Sequence, residues 1–278
     1  MLTMVGFNVN SPSLDRAMRQ LDWLEASGAD VVVLSELKGG ETTGAVIESL
    51  ARSGFEVAAA EDAGKASYSA AIASRVPVTR EVLPPSLTFA RSRAVSVLVP
   101  TTTTPLRLLG VYGFPSDPAG TSPFQRVQEK RSWLASLLNC IRDFDSRIPT
   151  IIMGDINIVE PLKLPQYSAI KSFEADFYND LLSMGYVDAI RRHAAPGPNQ
   201  VSWRDHAGRG YRFDHFFCSA SLADSLAECY LDHSPRELKP RLTDHSAIWA
   251  RLDGLSPIAR HQIDRELLDQ PSKQPTLF

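Results

Sequence analysis

The chain has 278 residues, 44% of them apolar and 22% charged, enough to bury a large core without disulfide or metal staples. No apolar run approaches the roughly 20 residues that cross a bilayer. No secretory leader pattern opens the chain, and Cys140, Cys218 and Cys229 are an odd, scattered set, so a reduced, cytoplasmic protein with no membrane segment is expected. The 29 basic and 32 acidic residues leave a net charge of -3, which at first argues against a polyanionic partner.

In chain order, Leu2 to Val9 reads as a strand, and Ser13 caps a helix with Met18, Leu21 and Leu24 on its apolar face, ended by Gly28. Ala29 to Leu34 is a β-branched run of the kind covered on both faces, and it leads to Glu36. A helix over 43–52 and a strand over 55–59 follow. Strands are predicted at 69–74, 94–99 and 106–112, separated by Pro-containing loops. A long helix over 124–144 carries a stripe of Val127, Arg131, Leu134, Leu138 and Ile141. Thr150 to Met153 is another strand, followed by a helix over 173–183 and strands at 200–203, 211–219, 228–233 and 246–252. The alternation of strands and amphipathic helices predicts a layered α/β fold. Residues 1–252 read as one domain, and 253–278 as an extension with a short helix over 258–268 and a flexible tail.

Polar residues cluster where strands stop. Asn8 and Asn10, Glu36, Asp155 and Asn157, Asp214, and Asp244 and His245 each sit at or beside the end of an apolar strand. Taken singly, each is ordinary turn chemistry. Strand ends in a layered sheet can converge, and carboxylates and carboxamides gathered there make a hard oxygen site suited to Mg2+ or Mn2+.

Five short motifs carry a resemblance. Gly6-Phe7-Asn8-Val9-Asn10, Val33-Leu34-Ser35-Glu36-Leu37-Lys38, Gly154-Asp155-Ile156-Asn157, Tyr211-Arg212-Phe213-Asp214-His215 and Leu242-Thr243-Asp244-His245 resemble, in order and spacing, the motifs of the endonuclease/exonuclease/phosphatase superfamily. The similarity is to its exonuclease III and AP endonuclease branch and covers about residues 1–252. It implies a DNase I-like four-layered α/β sandwich, two packed mixed β-sheets flanked by helices, with metal-dependent phosphodiester hydrolysis. Glu36 would then be the principal ligand of Mg2+, which Mn2+ can replace, with Asn10 and Asp244 close by. Asp155 would orient and deprotonate the attacking water, helped by Asn8 and Asn157. Asp214 would fix and charge His245, which stabilises the phosphoryl oxygens.

Tyr112 resembles the family's active-site tyrosine, although it stands three residues before Pro115 where the family's normally stands two before a proline. Ser35 stands where nuclease members commonly carry Gln. His215 reads as a core histidine and Asp188 as a structural acceptor.

Local charge bears on the substrate. Five arginines (Arg191, Arg192, Arg204, Arg209, Arg212) stand against Asp205 and Asp214, a local balance of +3, whereas residues 1–70 hold five basic and ten acidic groups. A positive rim on an acidic protein can still engage phosphates. Arg204, Arg209 and Arg212 are therefore expected, with Arg93 and Trp203, to contact substrate. Trp203 either stacks on an exposed base or sugar or is a buried strand residue. The expected activity is a DNA repair nuclease, 3′ to 5′ exonuclease, AP endonuclease or both; the alternatives are hydrolysis of RNA, a nucleotide or a phospholipid headgroup, or a silent nucleic-acid binder. In the tail, Gln274, Leu277 and Phe278 resemble the peptide that docks repair enzymes on a DNA sliding clamp.

Overall fold

The computed structural model describes residues 1–60, 67–115, 123–161, 171–194, 197 and 199–258. Chain order opens with β1 (Leu2–Asn8), α1 (Leu14–Ala26), β2 (Val31–Lys38) and α2 (Glu41–Arg52). Then come β3 (Glu56–Ala59), β4 (Tyr68–Ser74), β5 (Thr79–Glu81), β6 (Ala94–Val99), β7 (Leu106–Tyr112), α3 (Pro123–Arg142) and β8 (Thr150–Asp155). The rest is α4 (Ser172–Ser183), β9 (Tyr186–Asp188), α5 (Ala189–His193), β10 (Trp203–Arg204), β11 (Gly210–Tyr211), β12 (Asp214–Ser219), β13 (Leu226–Asp232), α6 (Ser234–Glu237) and β14 (Ala247–Leu252).

Period-two alternation builds the layers. In β1, Leu2 and Met4 enter one apolar cluster while Val5 and Phe7 enter another; in β2, Val31 and Val33 part from Val32 and Leu34 in the same way. The first cluster joins the two six-stranded sheets, ordered β13-β14-β1-β2-β4-β3 and β5-β6-β7-β8-β12-β9. The second lies under α1 and α2, and a third, centred on Trp133, Leu137 and Phe217, lies under α3 and α4. The result is helices, sheet, sheet, helices, the sandwich expected from the resemblance. Each sheet has a parallel pair at its centre, β1 with β2 and β7 with β8, flanked by antiparallel neighbours. Four central strands thus end, and β12 and β14 begin, at one edge of the sandwich.

Several sequence expectations shift. Ser13 does cap α1, accepting the Arg16 N–H, but Met18 is 43% exposed and Gln20 takes its place inside. The Gln20 amide donates to the Val9 and Leu242 carbonyls at 2.9 and 2.7 Å, which satisfies a buried polar group that hydrophobicity counts as outside. In α3 the inward basic residue is Lys130 rather than Arg131, which lies exposed over the Phe173 ring. The strand predicted over 200–203 is only β10, because the Ser202 N–H and C=O bond to Tyr211 and Ser246 outside a regular ladder. The strand predicted over 211–219 breaks at Arg212 and Phe213, where the Ser202 hydroxyl accepts the Phe213 and Asp214 N–H groups. The short elements β5, β9, α5 and α6 carry too few residues to show a period. The helix expected over 258–268 and the tail with Gln274, Leu277 and Phe278 lie outside the described residues.

Candidate active site

At the shared edge, the first sheet supplies Asn8, Asn10, Glu36, Asp244 and His245, and the second supplies Tyr112, Asp155, Asn157 and Asp214. A cleft of about 450 Å3 is lined by Asn10, Glu36, Tyr112, Asp155, Asn157 and His245, with Trp203, Arg209 and Phe213 forming the wall beside Asp244. The backbone is bent to aim these groups. Asn10, Glu36 and Asn157 occupy the left-handed region at φ +50°, +60° and +60°, where non-glycine residues are uncommon. Glu36 sits in an irregularity of β2, between Leu34 and Leu37, that turns its side chain out of the pleat. Gly154 precedes Asp155 at φ +139°, and a Cβ there would lie 2.1 Å from the Val111 carbonyl oxygen; at Gly113 one would lie 1.9 Å from that of Ile156. Only glycine lets β7 and β8 approach closely enough to set Tyr112 opposite Asp155.

Asp155 is held by three donors. The Asn8 amide donates to its Oδ2 at 2.8 Å, and Asn157 donates its backbone N–H to Oδ1 at 2.9 Å and its side-chain amide to Oδ2 at 3.1 Å. Asp214, paired with Asp155 across β12 and β8, lies 2.7 Å from His245 Nδ1. His245 Nε2 is 3.4 Å from the Asn8 amide. Asp244 accepts the Asn10 amide at 2.6 Å and the Trp203 indole N–H at 2.9 Å. The Thr243 hydroxyl donates to the Asn8 carbonyl at 2.7 Å, tying the two motifs together.

Charge is uneven here. Burial raises the Asp155 pKa well above the carboxylate range, and Asp214 and Glu36 add to the rise beyond what His245 and Asn157 offset. Burial likewise raises Glu36, although His245, Asn8 and Tyr112 counter it. Burial alone would lower His245, but Asp214, Asp155 and Asp244 outweigh it and push its pKa up to about 10. The Tyr112 hydroxyl is pushed far up by burial and then by Glu36 and Asp155, so it stays protonated.

Ligand atoms of Glu36, Asp155 and His245 lie within 4.8 Å of one another. A protonated imidazole has no lone pair to offer, so His245 is not a ligand while paired to Asp214. The oxygen donors Glu36, Asn10 and Asp244, in a site with uncompensated negative charge, fit a hard divalent cation.

The structure places the other candidates differently. Arg212 does not reach the cleft: it is fully buried, 2.5 Å from Asp188 and 2.9 Å from Glu160. Arg93 packs behind Tyr112, its Nη1 donating to the Gly113 carbonyl at 2.8 Å and its guanidinium 4.7 Å from the Tyr112 ring centre. Arg191 pairs with Glu160, Arg192 with Asp224 and Arg209 with Asp205, so the +3 counted along the sequence is largely matched in space. Trp203 is a half-buried residue of β10, its ring tilted against Phe213 at 5.6 Å between centres and its indole holding Asp244. The Ser35 hydroxyl, where the family commonly has Gln, is buried without a partner. His215 is fully buried and Asp188 accepts from Tyr178 and Arg212.

Sequence reading missed Lys130. Its ammonium donates to the Asn157 carbonyl at 2.6 Å and to Glu174 at 2.8 Å, bracing the loop that carries Asn157. A signal was present: 130, 133, 134, 137, 138 and 141 also follow helical spacing and include the fully buried Trp133 and Leu137.

A two-sheet sandwich with this edge site defines a class, and comparison with known proteins supplies it. The chain belongs to the endonuclease/exonuclease/phosphatase family, whose model matches residues 5–245. It is 27% identical over 134 residues to an exodeoxyribonuclease of Bacillus subtilis (strain 168), a match covering 41% of this chain and 53%, about half, of that relative. Among solved structures it is similar to a Neisseria 3′ phosphatase bound to product DNA hairpin, at a TM-score of 0.73, with 25% identity, 91% of this chain and 100% of that one. It is also similar to a 3′-5′ exonuclease from Neisseria meningitidis (0.72, 25%, 91% and 100%). An AP endonuclease from Archaeoglobus fulgidus (0.70, 22%, 91% and 100%) shares the fold. Among the described residues no helix is long and apolar enough to cross a membrane.

Proposed function

We propose that this chain is a Mg2+-dependent DNA phosphodiesterase of DNA repair, a 3′ to 5′ exonuclease, an AP endonuclease or both, with 1–252 as its catalytic domain and a cytoplasmic location. The observation that carries the reading is the Asp214–His245 pair set beside a triply held Asp155. Asp155, its pKa raised by burial, is suited to take a proton from the attacking water, and Asn8 and Asn157 fix the oxygen that does so. His245, kept protonated by Asp214, donates to a phosphoryl oxygen as charge develops there. Tyr112, protonated and backed by Arg93, is a further neutral donor. Glu36, Asn10 and Asp244 would hold Mg2+ or Mn2+, which when bound supplies neutralisation of phosphate charge. Trp203 positions Asp244 and presents its ring with Phe213 to substrate, and Arg209 and Arg204 lie on the exposed hairpin beside them.

The names of the relatives, an exodeoxyribonuclease, a 3′-5′ exonuclease and a 3′ phosphatase bound to a DNA hairpin, support DNA over RNA or a phospholipid headgroup. An abasic duplex, a blunt duplex, single-stranded RNA and a phospholipid, each incubated with Mg2+ and with chelator, test this. Cleavage of DNA in Mg2+ alone is expected, and no cleavage of either duplex overturns it. The clamp-docking expectation for Gln274, Leu277 and Phe278 belongs to the same repair role; deletion of 270–278 should abolish binding to the host's sliding clamp.

A further inference from the structure

Arg236 on α6 is a cation with two unpartnered donors. It is half-buried, and its Nε and Nη1 are shielded from water without a hydrogen-bond partner. Among the described residues other guanidiniums have carboxylate partners, such as Arg107 with Glu81, Arg212 with Asp188 and Arg251 with Glu228. Buried, unpaired donors on a charged group are costly. The neighbourhood sharpens the problem. Burial lowers the Arg236 pKa, and the positive charge of Arg204 lowers it further, acting more strongly than the opposite charge of Glu237. A half-buried guanidinium that lacks a full set of partners, with the exposed Arg204 guanidinium in Coulombic reach and itself held by the Gly208 carbonyl at 3.2 Å, makes a positive spot that an anion with several acceptor oxygens would neutralise.

The chain fixes where this pair lies. Arg204 follows Trp203, whose indole holds Asp244 and whose backbone bridges His245. Arg236 follows Pro235, whose carbonyl accepts the Leu242 and Thr243 N–H groups that lead into Asp244. Both arginines are therefore anchored to the Asp244 edge of the cleft, on the shoulder of the β10–β11 hairpin. Beyond them Lys239 and Arg241 are exposed, so residues 236–241 carry three basic groups against Glu237 alone.

We propose that Arg204 and Arg236 form a phosphate subsite that holds the DNA backbone just outside the cleft on its Asp244 side. The inference rests on the nuclease reading and deepens it by fixing the side on which the strand leaves the site. Binding of a labelled blunt DNA duplex in chelator, titrated with salt, tests it for wild type, Arg204→Gln, Arg236→Gln and the double variant. Each single change should weaken binding severalfold and reduce the slope of log K against log salt by about one. Because one phosphate is shared, the second substitution should cost less than the first, and with Mg2+ the loss should appear in KM rather than kcat. Arg236→Lys, keeping charge without the fork, should retain the slope and lose part of the affinity. The thermal midpoint of Arg236→Gln should hold or rise, since an unpaired buried charge is removed. Wild-type affinity and slope in Arg236→Gln overturn the subsite. DNA cleavage by wild type is scored separately, so a protein that binds duplex through these arginines yet cleaves none would sink the nuclease reading and leave the subsite standing.

Discussion

Two carboxylate clusters lie on either side of the short stretch from Asp155 to Glu160, and they are built to opposite rules. At Glu160 and Asp188, burial alone would raise both pKa values, but Arg191 and Arg212 for the first and Arg212 for the second overcome it, and both end below the usual range. Two carboxylates face two guanidiniums, with the Tyr178 hydroxyl donating to Asp188 at 2.7 Å. At Asp155 and Glu36 burial wins, and negative charge stays uncompensated. A buried charge with its partner in place fixes structure; one left without enough counter-charge is ready for a proton, a cation or a substrate.

The difference can be broken first at the reacting end. Asp214→Asn and His245→Ala should each lower turnover by about 10³-fold or more while the fold and its thermal midpoint persist. Steady-state kinetics on duplex DNA checks this, and near-wild-type hydrolysis by either variant would remove the pair from the mechanism. Stability should respond in the reverse sense. Arg212→Met leaves Glu160 and Asp188 short of a partner and should cost about 3–5 kcal/mol in urea unfolding. Asp155→Asn relieves repulsion and should be neutral or stabilising in the same measurement; a loss larger than that of Arg212→Met would refute the contrast.

The balanced cluster also has a titrating member. His215 stacks on Phe217 and lies 3.0 Å from the Ile158 carbonyl; burial and then Arg212 lower its pKa to about 4. The unfolded chain takes up this proton near pH 6.5, before the folded one does. The stabilisation is therefore complete above that value and lost as pH falls towards 4, by up to about 3 kcal/mol. Unfolding curves of wild type and His215→Phe should diverge in slope across that window, and parallel curves would exclude the histidine. The smallest effect concerns the unbalanced cluster. Mg2+ at about 100 times its Kd should raise wild-type stability by about 2.7 kcal/mol, seen as a higher thermal midpoint, and Glu36→Gln should show little of this shift.

Much of this was legible in the sequence. Strand and helix periods predict the layers, and the five motifs name the polar groups at the strand ends, because period and punctuation are local properties of the chain. What local reading misjudged was compensation. Arg212 lies two residues from Asp214 and counts as rim charge along the chain, yet the strand breaks there and turns it inward to Glu160 and Asp188. The stripe read from the sequence puts Arg131 inward, whereas in α3 it is its neighbour Lys130 that packs against the Asn157 loop. Arg236 carried no signal at all.

By itself, then, the sequence determined the class of elements and which chemistries were on offer, since both follow from residue types and their spacing. Only the tertiary structure decided which charges are matched, because partners such as Glu160 and Arg212, or Asn8 and Asp155, are 52 and 147 residues apart and meet only when the two sheets close on each other.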